Sequence, residues 1–238
     1  MVTLFKKETF NGDKKHLVHF LSPYEKVFLK AVLPWVPSQV STAHLTLMTI
    51  LWSVGIVMAG YFSREDIRWL WAFNGCIVMQ YITDMLDGEV GRKRNSGLIK
   101  WGFYMDHFLD YIFLCAIIIG YSFLLPPSYF FLTLLSLTFM AGFMVHAFID
   151  FAITNNFKIS CNEFGVSEMR CVLVLLNILL MIFGKALFIG LFPLFVLASF
   201  LGLSFLVYTS QKVYQHVDAL QQAQEPTLEG GEYGTKIS

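Results

Sequence analysis

Charge is what this sequence has least of. Only 14% of its 238 residues are charged, and 17 Lys and Arg are matched by 17 Asp and Glu, so the formal net charge is zero. A balanced chain offers no basic surface to a polyphosphate backbone, and no nucleic-acid partner is expected. Cysteine is scarce too. The four thiols, Cys76, Cys115, Cys161 and Cys171, form no CxxC pair and lie in or beside apolar segments, so free thiols are expected rather than a zinc or disulfide framework. The first 20 residues hold Lys6, Lys7, Asp13, Lys14 and Lys15 but no apolar run, which argues against a cleavable signal peptide.

What fills the chain instead is apolar surface: 56% of residues are hydrophobic, 24 of them Phe. Crossing a hydrocarbon core of about 30 Å takes about 20 helical residues. Several stretches reach that length, and helices satisfy their own backbone in lipid, so the expected fold is an all-α integral membrane protein. Six transmembrane helices are predicted, over about Val40 to Phe62, Arg68 to Leu86, Gly97 to Leu125, Tyr129 to Phe151, Glu168 to Phe183, and Ala186 to Tyr208 with Pro193 inside it. Ahead of them Ser22-Pro23-Tyr24-Glu25 has the form of a capping box. Tyr24, Val27, Phe28 and Ala31 then repeat at helical spacing, with Lys26 and Lys30 on other faces, predicting a short amphipathic helix in the membrane interface. The chain therefore divides into an N-terminal segment 1–36, a six-helix transmembrane domain 37–212 and a tail 213–238. Rich in Gln, Glu and Gly, the tail is expected to be disordered.

Against this background four carboxylates stand out. Asp84 and Asp87 end the second apolar stretch, and Asp106 and Asp110 open the third. Spacings of i, i+3 and i, i+4 put each pair on one helix face. The polar segment between the pairs holds Gly88, Gly91, Arg92, Lys93, Arg94, Asn95, Ser96 and Gly97 and reads as a hairpin connection. A descending and a returning helix then bring both pairs to one depth. Four carboxylates at the edge of a low-dielectric medium repel unless a cation joins them. Oxygen donors without Cys or His suit Mg²⁺, with Mn²⁺ as a substitute, and four are enough for two ions about 3.5 to 4 Å apart.

Basic residues set the orientation. Of the 17 Lys and Arg, all but Arg64, Arg68 and Lys185 fall on the side of the hairpin, the termini and the loop before Glu168. The aspartates and both termini are thus expected to face the cytoplasm.

The order Asp84, Asp87-Gly88, Gly91-Arg92, Gly102, Asp106, Asp110 resembles the signature of the CDP-alcohol phosphotransferase family. Two departures are present. Gly91 stands where the family usually has Ala, and Lys93 to Trp101 makes a nine-residue spacer where eight is usual. The resemblance implies an enzyme of phospholipid synthesis that transfers a substituted phosphoryl group from a CDP-linked donor to an alcohol and releases CMP. It implies Asp84, Asp87, Asp106 and Asp110 as metal ligands, Asp110 also as the catalytic proton acceptor, and Gly88, Arg92 and Gly102 at the donor. Thr46, in a segment Ala43-His44-Leu45-Thr46 similar to the Pro-Asn-x-x-Thr start of the family's first span, joins the substrate-binding set. A homodimer follows from the same resemblance, with membrane lipids and a lipid or small-alcohol acceptor as further partners.

Two branches of the family compete. The six-span size resembles enzymes that use CDP-diacylglycerol. His107, and Gly165-Val166-Ser167-Glu168 in place of Gly-Pro-Thr-Glu, resemble the choline and ethanolamine branch. His107, Glu168 and Arg170 therefore mark a candidate acceptor region. Outside the family, a cation- or proton-coupled transporter accounts for buried acids but not for the intervening Gly and Arg pattern. An intramembrane prenyltransferase needs a second acidic motif far downstream, which is lacking. A catalytically silent relative is disfavoured because all four aspartates are present.

Overall fold

In the computed structural model the described residues, 21–154 and 166–224, form helices and short connections with no strand among them. Lys6, Lys7, Asp13, Lys14, Lys15, Cys161 and Gly165, all named above, lie outside them. The helices are α1 (Ser22–Val32), α2 (Thr42–Phe62), α3 (Leu70–Lys93), α4 (Ile99–Ser122), α5 (Phe130–Thr154), α6 (Val166–Phe183) and α7 (Lys185–Gln224). Four are long and apolar enough to cross a membrane: α2, α4, α5 with its preceding turn, and α7. The expected second and fifth spans are helices as well, but they carry more charge. Asp84, Asp87, Glu89, Arg92 and Lys93 load the end of α3, and Glu168 and Arg170 the start of α6.

α2 is the spine on which α3 and α4 both pack. Its buried residues Thr42, Leu45, Thr46, Thr49, Ser53, Ile56, Ala59 and Gly60 recur every three or four positions. Small and hydroxyl-bearing side chains along that stripe let neighbouring backbones come close, which is how helices associate where lipid removes the hydrophobic drive. Contact is tightest between Gly60 and Gly120, where a Cβ on Gly60 would lie 2.5 Å from the Gly120 carbonyl oxygen. Phe73 of α3 covers Gly120 on another side and meets Tyr121 at a ring separation of 5.0 Å. Around this point Ile56, Phe73, Ile117, Tyr121, Leu180 and Phe188 form the main core. A buried polar chain crosses it: Tyr121 Oη donates to Asn177 Oδ1 at 2.9 Å, and Asn177 Nδ2 donates to Asn74 Oδ1 at 2.7 Å.

The structure departs from the sequence reading at three places. The segment read as a hairpin from Gly88 onward is helical through Lys93, leaving a connection of only Arg94 to Leu98. Leu86 and Val90 explain why: one turn apart, both are buried in a second cluster with Leu45, against which Leu29, Val32 and Leu33 pack. The expected capping box of α1 is not made, since its N-cap is Leu21 and makes no side-chain capping bond, while Glu25 is engaged elsewhere. A box does form at α2, where Ser41 accepts from His44 N and His44 Nδ1 accepts from Ser41 N. Finally, α7 runs on to Gln224 through Asp218-Ala219-Leu220, so the first part of the tail is helical. Cys76, Cys115 and Cys171 are free thiols.

Candidate active site at the charged ends of two helices

Helix registers fix where the aspartates lie. Thr46 of α2 touches Asp87 and Thr42 adjoins Gly91, so α3 runs antiparallel to α2. On the other flank Gly60 meets Gly120, and α4, which returns from α3 after the five residues Arg94 to Leu98, runs parallel to α2. Asp106 precedes Gly120 by as many residues as Thr46 precedes Gly60, about 21 Å at the helical rise. Asp87, Thr46 and Asp106 therefore share one depth. Asp84 and Asp110 each lie about one turn further in, which makes two layers, each with one carboxylate from α3 and one from α4.

The layers differ in their partners. In the outer one Asp87 is buried, 7% exposed, and accepts from Thr46 Oγ1 at 2.6 Å. The same hydroxyl lies 3.0 Å from the Thr42 carbonyl, so its single proton is shared between a helix back-bond and the shorter bond to the carboxylate. Asp106 is more open and has His107 Nδ1 3.9 Å away, although that nitrogen is closer to the Phe103 carbonyl, at 2.7 Å. In the inner layer Arg170 Nη2 is 2.9 Å from Asp84 Oδ2 and 3.8 Å from Asp110 Oδ1. The Arg170 side chain is 8% exposed, against 24% and 25% for the two aspartates. Sequence alone named Arg170 only as part of an acceptor region; its two partners come from different helices, which no local spacing reveals.

The other expected substrate residues lie along the same helices and at the start of α6. Gly88 and Arg92 are one turn apart on the last turns of α3, and the Arg92 guanidinium lies 3.5 Å from where a Gly88 Cβ would be. Arg92 also pairs with Glu89 at 2.8 Å and is largely exposed. Gly102 has open space on its Cα. Gly91 has the opposite setting, since a Cβ there would lie 3.2 Å from Thr42 Oγ1, so the missing methyl lets α3 close on α2. Glu168 is buried in the first turn of α6 and accepts from Leu21 N at 3.4 Å. His146 and Asp150 are held by α7, through Ser210 and Tyr214 respectively.

Two supporting groups escaped the sequence reading. Arg94 donates to the carbonyls of Val36, Pro37, Ser38 and Val40, stapling the α1–α2 linker to the start of the α3–α4 connection. Glu25 of α1 accepts from Tyr81 Oη at 2.5 Å and Ser167 Oγ at 2.7 Å, tying α1 to α3 and α6. Tyr81 in turn places its ring 5.3 Å from the Arg170 guanidinium carbon.

As a set of donors, four carboxylates in two adjacent layers suit a hard divalent ion. As arranged, no three acidic, His or Cys side chains among the described residues converge as a metal cage. Asp84 and Asp110 face a guanidinium instead. The donor types suit a cation, while one oxygen each of Asp84 and Asp110 is taken by Arg170.

The sequence model of the CDP-alcohol phosphatidyltransferase family matches residues 36–208. No curated protein and no solved structure matches the chain.

Proposed function

Because the chain belongs to the CDP-alcohol phosphatidyltransferase family, we propose that it is a membrane-embedded phosphotransferase of phospholipid synthesis in which the two aspartate layers form the catalytic centre. The observation that carries this is the common placement of Asp84, Asp87, Asp106 and Asp110 at the charged ends of α3 and α4, with Thr46 and Arg170 on them. The family is generally dependent on a divalent metal. Here the four aspartates would hold it, as two Mg²⁺ ions that Mn²⁺ can replace. Such ions supply charge neutralisation to a diphosphate and its departing phosphate.

The chain's own residues take the remaining tasks. Gly88 allows a nucleotide to lie against the α3 backbone, and exposed Arg92 above it pairs with phosphate through a planar fork that Lys lacks. Open space at Gly102 completes the donor side. Thr46 fixes the Asp87 carboxylate. Asp110, in the inner layer and nearer the lipid interior, takes the proton from the attacking alcohol. The alcohol oxygen bonds to phosphorus, the bond to the CMP oxygen breaks, and CMP leaves. His107, Glu168 and Arg170 border the acceptor.

Six spans follow if α3 and α6 cross with the other four, their charges turned toward the aspartate layers. The aspartates and both termini then face the cytoplasm by the distribution of basic residues. α1 lies in the interface, with exposed Tyr24, Val27 and Trp35 in lipid. A homodimer completes the assembly, to be read from the mass of the detergent-solubilised protein. Phosphatidyl transfer from CDP-diacylglycerol to a small alcohol is the preferred reaction. Transfer from CDP-choline or CDP-ethanolamine to diacylglycerol is the second reading, favoured by His107 beside Asp106 and by buried Glu168.

One assay separates them. Purified protein in vesicles receives radiolabelled CDP-diacylglycerol or a CDP-amino-alcohol, each with a panel of acceptors, and CMP and lipid product are measured. CMP release with CDP-diacylglycerol and a small alcohol supports the preferred reaction. Release only with the amino-alcohol donors establishes the second, and none with any donor overturns the assignment.

A further inference from the structure

Arg170 pairs with two members of the aspartate quartet, and its position is unusual for a residue that merely binds substrate. It is buried, it reaches from α6 to carboxylates on both α3 and α4, and it touches both members of the inner layer. A guanidinium cannot leave by giving up its proton, so a cation drawn to Asp84 Oδ2 and Asp110 Oδ1 competes with it there. The quartet with Arg170 carries a formal charge of about −3, and two divalent ions change it to about +1, suited to an anionic diphosphate. Its seat permits such a change. Behind the guanidinium is the Tyr81 ring, held by Glu25, and a ring face attracts a cation without fixing its direction.

We propose that Arg170 is a built-in counter-cation of the site: it holds Asp84 and Asp110 while no divalent ion is bound, competes with that ion for both carboxylates, and turns to the anionic donor once they are taken. This rests on the divalent-ion reading above. Competition for shared ligands links the two cations, so removing one must strengthen binding of the other.

The test is Mn²⁺ binding to the full chain in lipid nanodiscs, followed by the spin-resonance signal of free Mn²⁺, for wild type, Arg170→Gln and Arg170→Lys. Arg170→Gln is expected to bind Mn²⁺ at least tenfold more tightly than wild type, and to melt lower in EDTA but recover in saturating Mn²⁺. At saturating Mn²⁺ its KM for the CDP-linked donor rises more than its kcat falls. Arg170→Lys keeps the charge but loses the fork, so its Mn²⁺ affinity lies between the two; it carries the test if the Gln variant does not fold. Mn²⁺ affinity equal to or weaker than wild type in the measured variant, or a melting loss that Mn²⁺ does not reverse, overturns the inference and leaves the metal reading standing. Failure of wild type and variants alike to take up Mn²⁺ overturns both.

Discussion

Thr46 shows how much one hydroxyl can carry at the aspartate site. Its 2.6 Å bond to buried Asp87 is charge-assisted, a class of bond worth about 1.5 to 3 kcal/mol. Thr46→Val keeps the shape and removes the donor, so turnover is expected to fall about 10- to 100-fold, while Thr46→Ser stays near wild type. CMP release by the two variants checks this, and equal rates would confine Thr46 to the helix back-bond. The aspartates themselves differ by layer. Asp84→Asn or Asp87→Asn is isosteric and removes a ligand charge, so metal-dependent CMP release is expected to vanish with membrane insertion intact. Asp110→Asn is expected to block chemistry more than donor binding; donor affinity collapsing in parallel would make Asp110 a ligand alone. These four positions were legible because an apolar helix tolerates an acid only for a reason and their spacing is local. Arg170 was not, since its partners lie 60 and 86 positions away in sequence and only the fold brings them within reach.

At the scale of the element, the end of α3 decides how the two carboxylate-bearing helices diverge. Composition misled here: Gly88, Gly91, Lys93 and Arg94 look like turn residues, yet Leu86 and Val90 keep a helical period and bury against Leu45. The true stop is Asn95, left-handed at φ 48°, with Asn95 N bonded to Arg92 O and Ser96 N to Gly91 O. That is a Schellman ending, in which Asn is tolerated and Gly preferred. Asn95→Gly is therefore expected to leave the melting temperature unchanged or slightly raised, and Asn95→Val to lower stability by about 1 to 2 kcal/mol. Arg94→Lys is expected to be damaging too, since one ammonium cannot reach four carbonyls across the α1–α2 linker. Thermal unfolding in detergent checks all three, and an Asn95→Val protein as stable as wild type would show that the connection is not set by this turn.

Across the whole molecule, helix length and the placement of charge together set the number of crossings. α3 has 24 residues, about 36 Å of helix, which exceeds a hydrocarbon core of about 30 Å. Its stretch from Leu70 to Thr83 is uncharged, about 21 Å, and the polar residues within it, Asn74 and Gln80, are buried against protein. The charges begin at Asp84 and lie in the aspartate layers or at the helix end, so none has to face acyl chains. α6, at 18 residues or about 27 Å, is shorter, with Glu168 and Arg170 buried in its first turns and Asn177 bonded inside the core. Both helices turn these polar groups inward rather than toward acyl chains, the condition under which a charged helix can cross. A six-span arrangement then places the turn before α3 and the connection after it on opposite faces. Single cysteines at Glu65 and Ser96, in a chain whose own cysteines are replaced, are expected to react with a membrane-impermeant maleimide from opposite sides of sealed vesicles, with Ser96 on the side of Lys212. Labelling of both from one side would mean that α3 does not cross, and would move the aspartate layers from the depth assigned to them to the surface of a four-span protein.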